Sequence, residues 1–193
     1  KATGFLQLCA GQDAGGKAVI HSVYEVFNKE ETEGVLMVDA SNAFNSINCE
    51  AFLHNSKVIC PSLATYINNC YSLPTDLYVQ GCKLIKSEEG TTQGDPIAMA
   101  IYALGMTPFL AWLNKKSNES DIFPSPKQVA FADDLNGIGS IMSLKHWWNL
   151  LEEEGKKIGY NVNAGKSYLI VKNQYKEKAI EIFKYSNIII TKE

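Results

Sequence analysis

The stretch Val129-Ala130-Phe131-Ala132-Asp133-Asp134-Leu135-Asn136-Gly137-Ile138 constrains this chain more than any other. An apolar run is interrupted by two adjacent carboxylates and then resumes, with Gly137 and Gly139 as breakers. The pattern predicts a β-hairpin with an acidic tip: Val129 to Ala132 form a short buried strand, and Leu135 to Ile138 its partner or the exit from the turn. Asp is a common turn residue, so the dipeptide by itself is compatible with an ordinary solvated turn. Two ionised carboxylates beside apolar strands nevertheless repel each other and are costly to desolvate, and a divalent cation is the simplest compensation.

A second apolar run, Gly34-Val35-Leu36-Met37-Val38, delivers Asp39 at its C-terminal end and leads into Ala40-Ser41-Asn42-Ala43-Phe44. Set side by side, the two strands bring three carboxylates together. Hard cations such as Mg²⁺ take oxygen ligands, usually one or two protein carboxylates plus substrate phosphates. Two such ions roughly 3.5–4 Å apart activate an attacking oxygen and stabilise a leaving one in phosphoryl transfer.

Between these runs stands Glu89-Gly90-Thr91-Thr92-Gln93-Gly94-Asp95-Pro96, and beyond them Gly159-Tyr160-Asn161-Val162-Asn163-Ala164-Gly165-Lys166-Ser167. In this order and spacing the four motifs resemble the palm of reverse transcriptases, especially those of retrotransposons without long terminal repeats. The match runs from about Gly34 to Ser167. It implies an α/β (α+β) fold, a polymerase palm with a mainly antiparallel sheet backed by helices. It also implies that residues 1–193 are a partial reverse transcriptase domain, chiefly palm, with most of the fingers and the thumb absent.

The resemblance further implies an RNA-directed DNA polymerase working with two Mg²⁺ ions, for which Mn²⁺ can substitute. Asp39 and Asp133 would hold both metals, and the carbonyl of Ala40 would supply one more oxygen. Asp134, next on an alternating strand, is expected to point partly away and to matter less directly. Lys166 would neutralise or protonate the leaving pyrophosphate. Phe44 holds the position that, in the family, lies under the deoxyribose and clashes with a 2′-hydroxyl. An RNA-dependent RNA polymerase would be expected to carry an Asp near that point instead. Gln93 and Gly94 would line the nucleotide and template pocket. The implied partners are an RNA template, a DNA or RNA primer, dNTPs and the remainder of a longer polyprotein. Where many relatives carry an arginine after the Phe44 segment, this chain has Cys49.

Composition bears on this reading. A chain of 193 residues with 46% hydrophobic content can bury a core, most simply as one domain. The net charge of −3 argues against a self-sufficient nucleic-acid binder, and all 18 basic residues are lysine, which removes bidentate guanidinium contacts to phosphate. An acidic palm fits a polymerase whose positive charge lies elsewhere. A second reading therefore stays open: a degenerate or truncated palm, inactive alone, that serves as a nucleic-acid or protein binding module. Cys9, Cys49, Cys60, Cys70 and Cys82 show no C-x-x-C pair and read as free thiols, without a disulfide framework or zinc site. No signal pattern opens the chain, and its start at Lys1 reads as that of a portion of something longer.

The remaining stretches give a coarse outline. Gly15-Gly16 precede a helix through Asn28 with an apolar stripe, and His21 near it reads as structural. Glu50 to Asn69 reads as two helices broken at Cys60-Pro61, followed by a hairpin of Asp76–Val79 and Lys83–Lys86. Asp95 reads as a helix cap rather than a metal ligand, with Pro96 in the first turn. The uncharged run from Pro96 to Asn114 is long enough to raise a membrane span, but Gly105, Thr107 and Pro108 interrupt it, and we read it as a core helix. Lys115 to Lys127 reads as a surface loop. Ser143 is expected to cap a helix through Ile158, with one of Trp147 and Trp148 in the core and the other partly exposed. Gly159 to Ser167 is no Walker loop, because five residues rather than four separate its glycines. A strand at Tyr168–Val171, a helix at Tyr175–Tyr185 and a strand at Ile188–Ile190 complete the outline.

Overall fold

The computed structural model describes residues 4, 6–10, 13–78, 80–81, 84–92, 94–119 and 123–193. Seven strands and seven α-helices are formed by these residues, in the order α1 (Gly15–Phe27), β1 (Gly34–Val38), α2 (Ala43–Ser46), α3 (Cys49–Ile59), α4 (Pro61–Tyr71), β2 (Thr75–Leu77), β3 (Ile85–Ser87), α5 (Ala98–Asn118), β4 (Lys127–Phe131), β5 (Asp134–Gly139), α6 (Ile141–Glu154), β6 (Tyr168–Val171), α7 (Lys176–Phe183) and β7 (Ile189–Lys192). The main sheet has the strand order β4-β5-β1-β6-β7, antiparallel except for the β6–β7 pair, and β2–β3 is a separate antiparallel hairpin. This is the mixed α/β architecture expected, a mainly antiparallel sheet with helices behind it.

Alternation along the central strands divides the sheet into two faces. Leu36, Val38, Leu135, Leu169 and Val171 are buried on the face toward α5 and α6, where a Cβ on Gly137 would stand 3.1 Å from the Trp147 ring. Each such side chain contributes about 1.5–3 kcal/mol by leaving water. Val35, Met37, Asn136, Tyr168 and Ile170 occupy the other face, which α1 partly covers. The covering is loose: Ile20 and Tyr24 on α1 are 69% and 68% exposed. Between α1 and the sheet lies a cavity of about 690 Å³ whose lining is mostly apolar but includes Asp39, Asp134 and Lys166.

Several local expectations need correction. α5 runs unbroken from Ala98 to Asn118 through Pro108, so Lys115 to Asn118 are helical and not loop. Pro108 removes a helix hydrogen bond at a cost of about 3 kcal/mol. Burial of Tyr102, Leu104, Met106, Leu110 and Leu113 along the same helix outweighs that cost. The Gly105 carbonyl also accepts from Asn55 Nδ2 of α3 at 3.0 Å. No helix among the described residues is long and apolar enough to cross a membrane.

α6 starts one turn earlier than expected. Ser140 is its cap, accepting from the Ser143 N–H at 3.2 Å, and Glu33 accepts from the Ile141 N–H at 2.8 Å. Both Trp147 and Trp148 are fully buried, because α6 packs on the sheet, on α5 and on α7 at once and has little open surface at that level. The expected break at Cys60-Pro61 separates α3 from α4 as read. Of the expected hairpin, β2 and β3 keep three residues each, while Val79, Cys82 and Lys83 lie outside the described residues.

Candidate active site

β4 and β5 form the hairpin, closed by the pair Phe131↔Asp134, so its tip is the two-residue turn Ala132-Asp133. Ala132 has φ +54°, a left-handed conformation that costs a non-glycine residue about 1–2 kcal/mol and persists only when neighbours fix it. Three hydrogen bonds do so. Gln7 Nε2 donates to the Ala132 carbonyl at 2.8 Å, and the Ala132 N–H donates back to Gln7 Oε1 at 2.8 Å. The buried Tyr160 hydroxyl donates to the Asp133 carbonyl at 2.9 Å.

β1 lies beside β5 in antiparallel register through Val38↔Leu135. One step further that register sets Asp39 across from Asp134, and both line the cavity under α1. The expectation that Asp134 turns aside is thus not met: the two-residue turn is Ala132-Asp133 and takes only the first of the acidic pair, so Asp134 is already the first strand residue on the Asp39 side. Partial burial raises the Asp134 carboxyl above its ordinary value, and the charges of Asp133 and Asp39 raise it further. Among the described residues, no hydrogen bond or ion pair engages the side-chain oxygens of Asp39, Asp133 or Asp134.

The segment after β1 is held by the loop before β6. The Asp39 N–H donates to Ser167 Oγ at 3.1 Å, the Asn163 N–H donates to the Asp39 carbonyl at 2.8 Å, and the Ser41 N–H donates to the Asn161 carbonyl at 2.7 Å. Ala40 faces Val162 between these bonds, and its own carbonyl accepts none among the described residues. Lys166 ends the short helical turn Ala164–Lys166, is exposed, and shares the cavity with Asp39 and Asp134.

Phe44 sits on α2 half-buried, its ring stacked on that of Tyr102 of α5 at 4.6 Å between centroids. The Gly90-Thr91 segment is stitched to the same helix: the Thr91 N–H donates to the Phe44 carbonyl at 2.6 Å and the Gly90 N–H to the Ile47 carbonyl at 3.0 Å. Gly90 has φ +83°, and a Cβ there would fall 2.4 Å from the Asn45 backbone, so only glycine permits this approach. Gly94 follows, exposed and with φ +92°. Gln93 lies outside the described residues. Asp95 spends both oxygens on structure, accepting from the Ile97 N–H at 2.9 Å and from the Tyr71 hydroxyl at 2.6 Å.

Beneath the carboxylates, the Tyr102 hydroxyl is buried without a hydrogen-bond partner among the described residues. Burial drives its ionisation well above the usual phenol range, and the charge of Asp133 adds to this. The residues that brace the site were not legible as such: Gln7, Tyr102, Tyr160 and Ser167 are ordinary in sequence, and only the pairing of distant segments gives them partners.

The three carboxylates fit a hard cation by chemistry: they are unspent, they repel one another, and an unspent carbonyl lies beside them. Among the described residues, no three His, Cys, Asp or Glu side chains converge tightly enough to hold a metal by themselves. Mg²⁺ asks for less, since one or two carboxylates completed by substrate phosphates suffice.

The sequence model of the family described as reverse transcriptase (RNA-dependent DNA polymerase) matches residues 3–182. The chain belongs to that family. Among solved structures, it is similar to telomerase from Candida albicans, captured with a TWJ fragment of telomeric RNA, with a TM-score of 0.65 and 9% identity over 89% of this chain and 33% of that one. Apo telomerase from Candida tropicalis is similar with a TM-score of 0.62 and 10% identity over 82% of this chain and 32% of the other. The chain thus spans about a third of the length of these telomerases, and at such identities the likeness shows the shared fold.

Proposed function

We propose that this chain is the palm of an RNA-directed DNA polymerase, part of a retrotransposon protein, and transfers deoxynucleotides from dNTPs to a primer 3′-hydroxyl on an RNA template. The observation that carries the reading is the β1–β5 pairing, which brings Asp39 to the acidic hairpin of Asp133 and Asp134, three repelling carboxylates without partners among the described residues.

Asp39 and Asp133 would hold two Mg²⁺ ions, Asp134 would contribute from the same face as Asp39, and Ala40 would offer its carbonyl. When bound, the metal pair supplies activation of the 3′-hydroxyl and stabilisation of the departing charge. The remaining work falls to the chain itself. The 3′-oxygen attacks the α-phosphorus as the bond to pyrophosphate breaks, and Lys166, which lines the same cavity as Asp39 and Asp134, would neutralise or protonate that leaving group. Phe44, fixed against Tyr102, would lie under the deoxyribose and exclude a 2′-hydroxyl. Gly94 leaves space at its α-carbon for a template or nucleotide to approach, and Gln93 would share that pocket.

The net charge of −3 and the absence of arginine support the view that the chain carries chiefly the palm, with template, primer and the rest of a longer polyprotein as its partners. Extension of a primer on RNA and on DNA templates, with deoxy- and ribonucleotides offered separately, tests the reading. RNA-templated addition of deoxynucleotides is expected, and a preference for ribonucleotides would overturn it.

A further inference from the structure

We infer that Gln7 is a positioning residue for Asp133: its amide sets the backbone of the acidic turn and thereby the direction in which Asp133 offers its carboxylate. The inference rests on the proposed role of Asp133 as a metal ligand. Gln7 is fully buried, 125 residues away in sequence, and its amide meets both backbone groups of Ala132 at 2.8 Å. A neighbouring bond from the Leu8 N–H to the Ala130 carbonyl at 2.9 Å keeps the segment in register with β4.

The arrangement is specific to a primary amide. A carbonyl oxygen must accept from the Ala132 N–H while an NH₂ on the same carbon donates to the Ala132 carbonyl; the isosteric glutamate is acceptor-only when ionised and does both only when protonated. The bonds fall on the residue of the turn that most needs them. Ala132 is held at φ +54°, where an L-residue does not stay unaided, and a turn released from that conformation re-aims the next side chain, Asp133. A backbone clamp one residue from a ligand acts as outer-sphere hydrogen bonds do at metal sites, where loss of the orienting group weakens binding or activity by about 10–100-fold.

The test is binding of Mn²⁺ alone to the full chain, read by electron paramagnetic resonance, with thermal melts on the same samples. Gln7→Met keeps the volume and loses both bonds, and is expected to weaken Mn²⁺ binding about ten-fold. Phe183→Leu, a core change on α7, serves as the reference for destabilisation alone and is expected to bind as the parent does. Gln7→Asn keeps the amide one methylene short and is expected to fall between the parent and Gln7→Met, so it carries the test if Gln7→Met does not fold. Parent-like affinity in whichever Gln7 variant folds overturns the inference, as does equal weakening by Phe183→Leu. Asp133→Asn separates the two levels of the argument. If it leaves Mn²⁺ binding unchanged, or if the parent binds none, the metal reading fails and the inference falls with it. If it abolishes binding while the Gln7 variants match the parent, the positioning role alone fails.

Discussion

Ser167 Oγ accepts the backbone N–H of Asp39 at 3.1 Å across 128 residues of sequence, and donates in turn to the Asn163 carbonyl at 2.8 Å. The hydroxyl is fully buried, so it ties the end of β1 to the loop that carries Lys166. Ser167→Ala leaves the Asp39 N–H without that acceptor and is expected to cost about 1–3 kcal/mol in urea unfolding. Primer extension should fall with it at temperatures where the variant remains folded. An unchanged unfolding midpoint would show that water replaces the hydroxyl there.

The stack of Phe44 on Tyr102 separates ring from hydroxyl. Because the Tyr102 hydroxyl is buried without a partner among the described residues, Tyr102→Phe should keep the stack and hold or raise stability, within about 1 kcal/mol. Phe44→Ala and Tyr102→Leu both remove the stack, and both should relax discrimination against ribonucleotides, measured as the ratio of kcat/KM for a dNTP and its ribonucleotide. Discrimination that survives Phe44→Ala would make Phe44 a packing residue.

The acidic cluster sets a pH dependence. The Asp134 carboxyl is raised in the folded chain by partial burial and by Asp133 and Asp39, so the fold holds its proton to higher pH than the unfolded chain does. This contribution to stability is therefore present below the unfolded carboxylate value and is lost as pH rises through the folded one. Asp134→Asn should accordingly gain in urea midpoint relative to the parent at pH 7 and gain less at pH 3. Equal gains at both values would mean that neither burial nor repulsion from Asp133 and Asp39 raises the Asp134 carboxyl in the folded chain.

Much of this architecture is written in local pattern. The apolar runs before Asp39 and around Asp133-Asp134 are strands because their side chains must be buried, and each delivers its carboxylate at a strand end because the run stops there. Pro61 marks the α3–α4 boundary for the reason that proline always does. What escaped the sequence is what depends on partners far away. Pro108 does not stop α5, because tertiary packing outweighs a lost hydrogen bond. Trp148 is buried because α6 has neighbours on several sides, which a helical wheel does not reveal. Asp134 joins the face of Asp39 because the turn takes two residues, Ala132 and Asp133, and hairpin register is fixed by such details. Gln7 sits in a stretch of plain apolar sequence, and only the approach of that stretch to β4 turns its amide into a clamp.

The most direct test of the account is RNA-templated primer extension by the parent chain and by Asp133→Asn, with Mg²⁺ and with Mn²⁺. The account predicts deoxynucleotide addition by the parent that depends on the cation, and none above background by Asp133→Asn, which keeps its fold by circular dichroism. Extension by Asp133→Asn at the parent's rate, or a folded parent that adds no nucleotide with either cation, would contradict it.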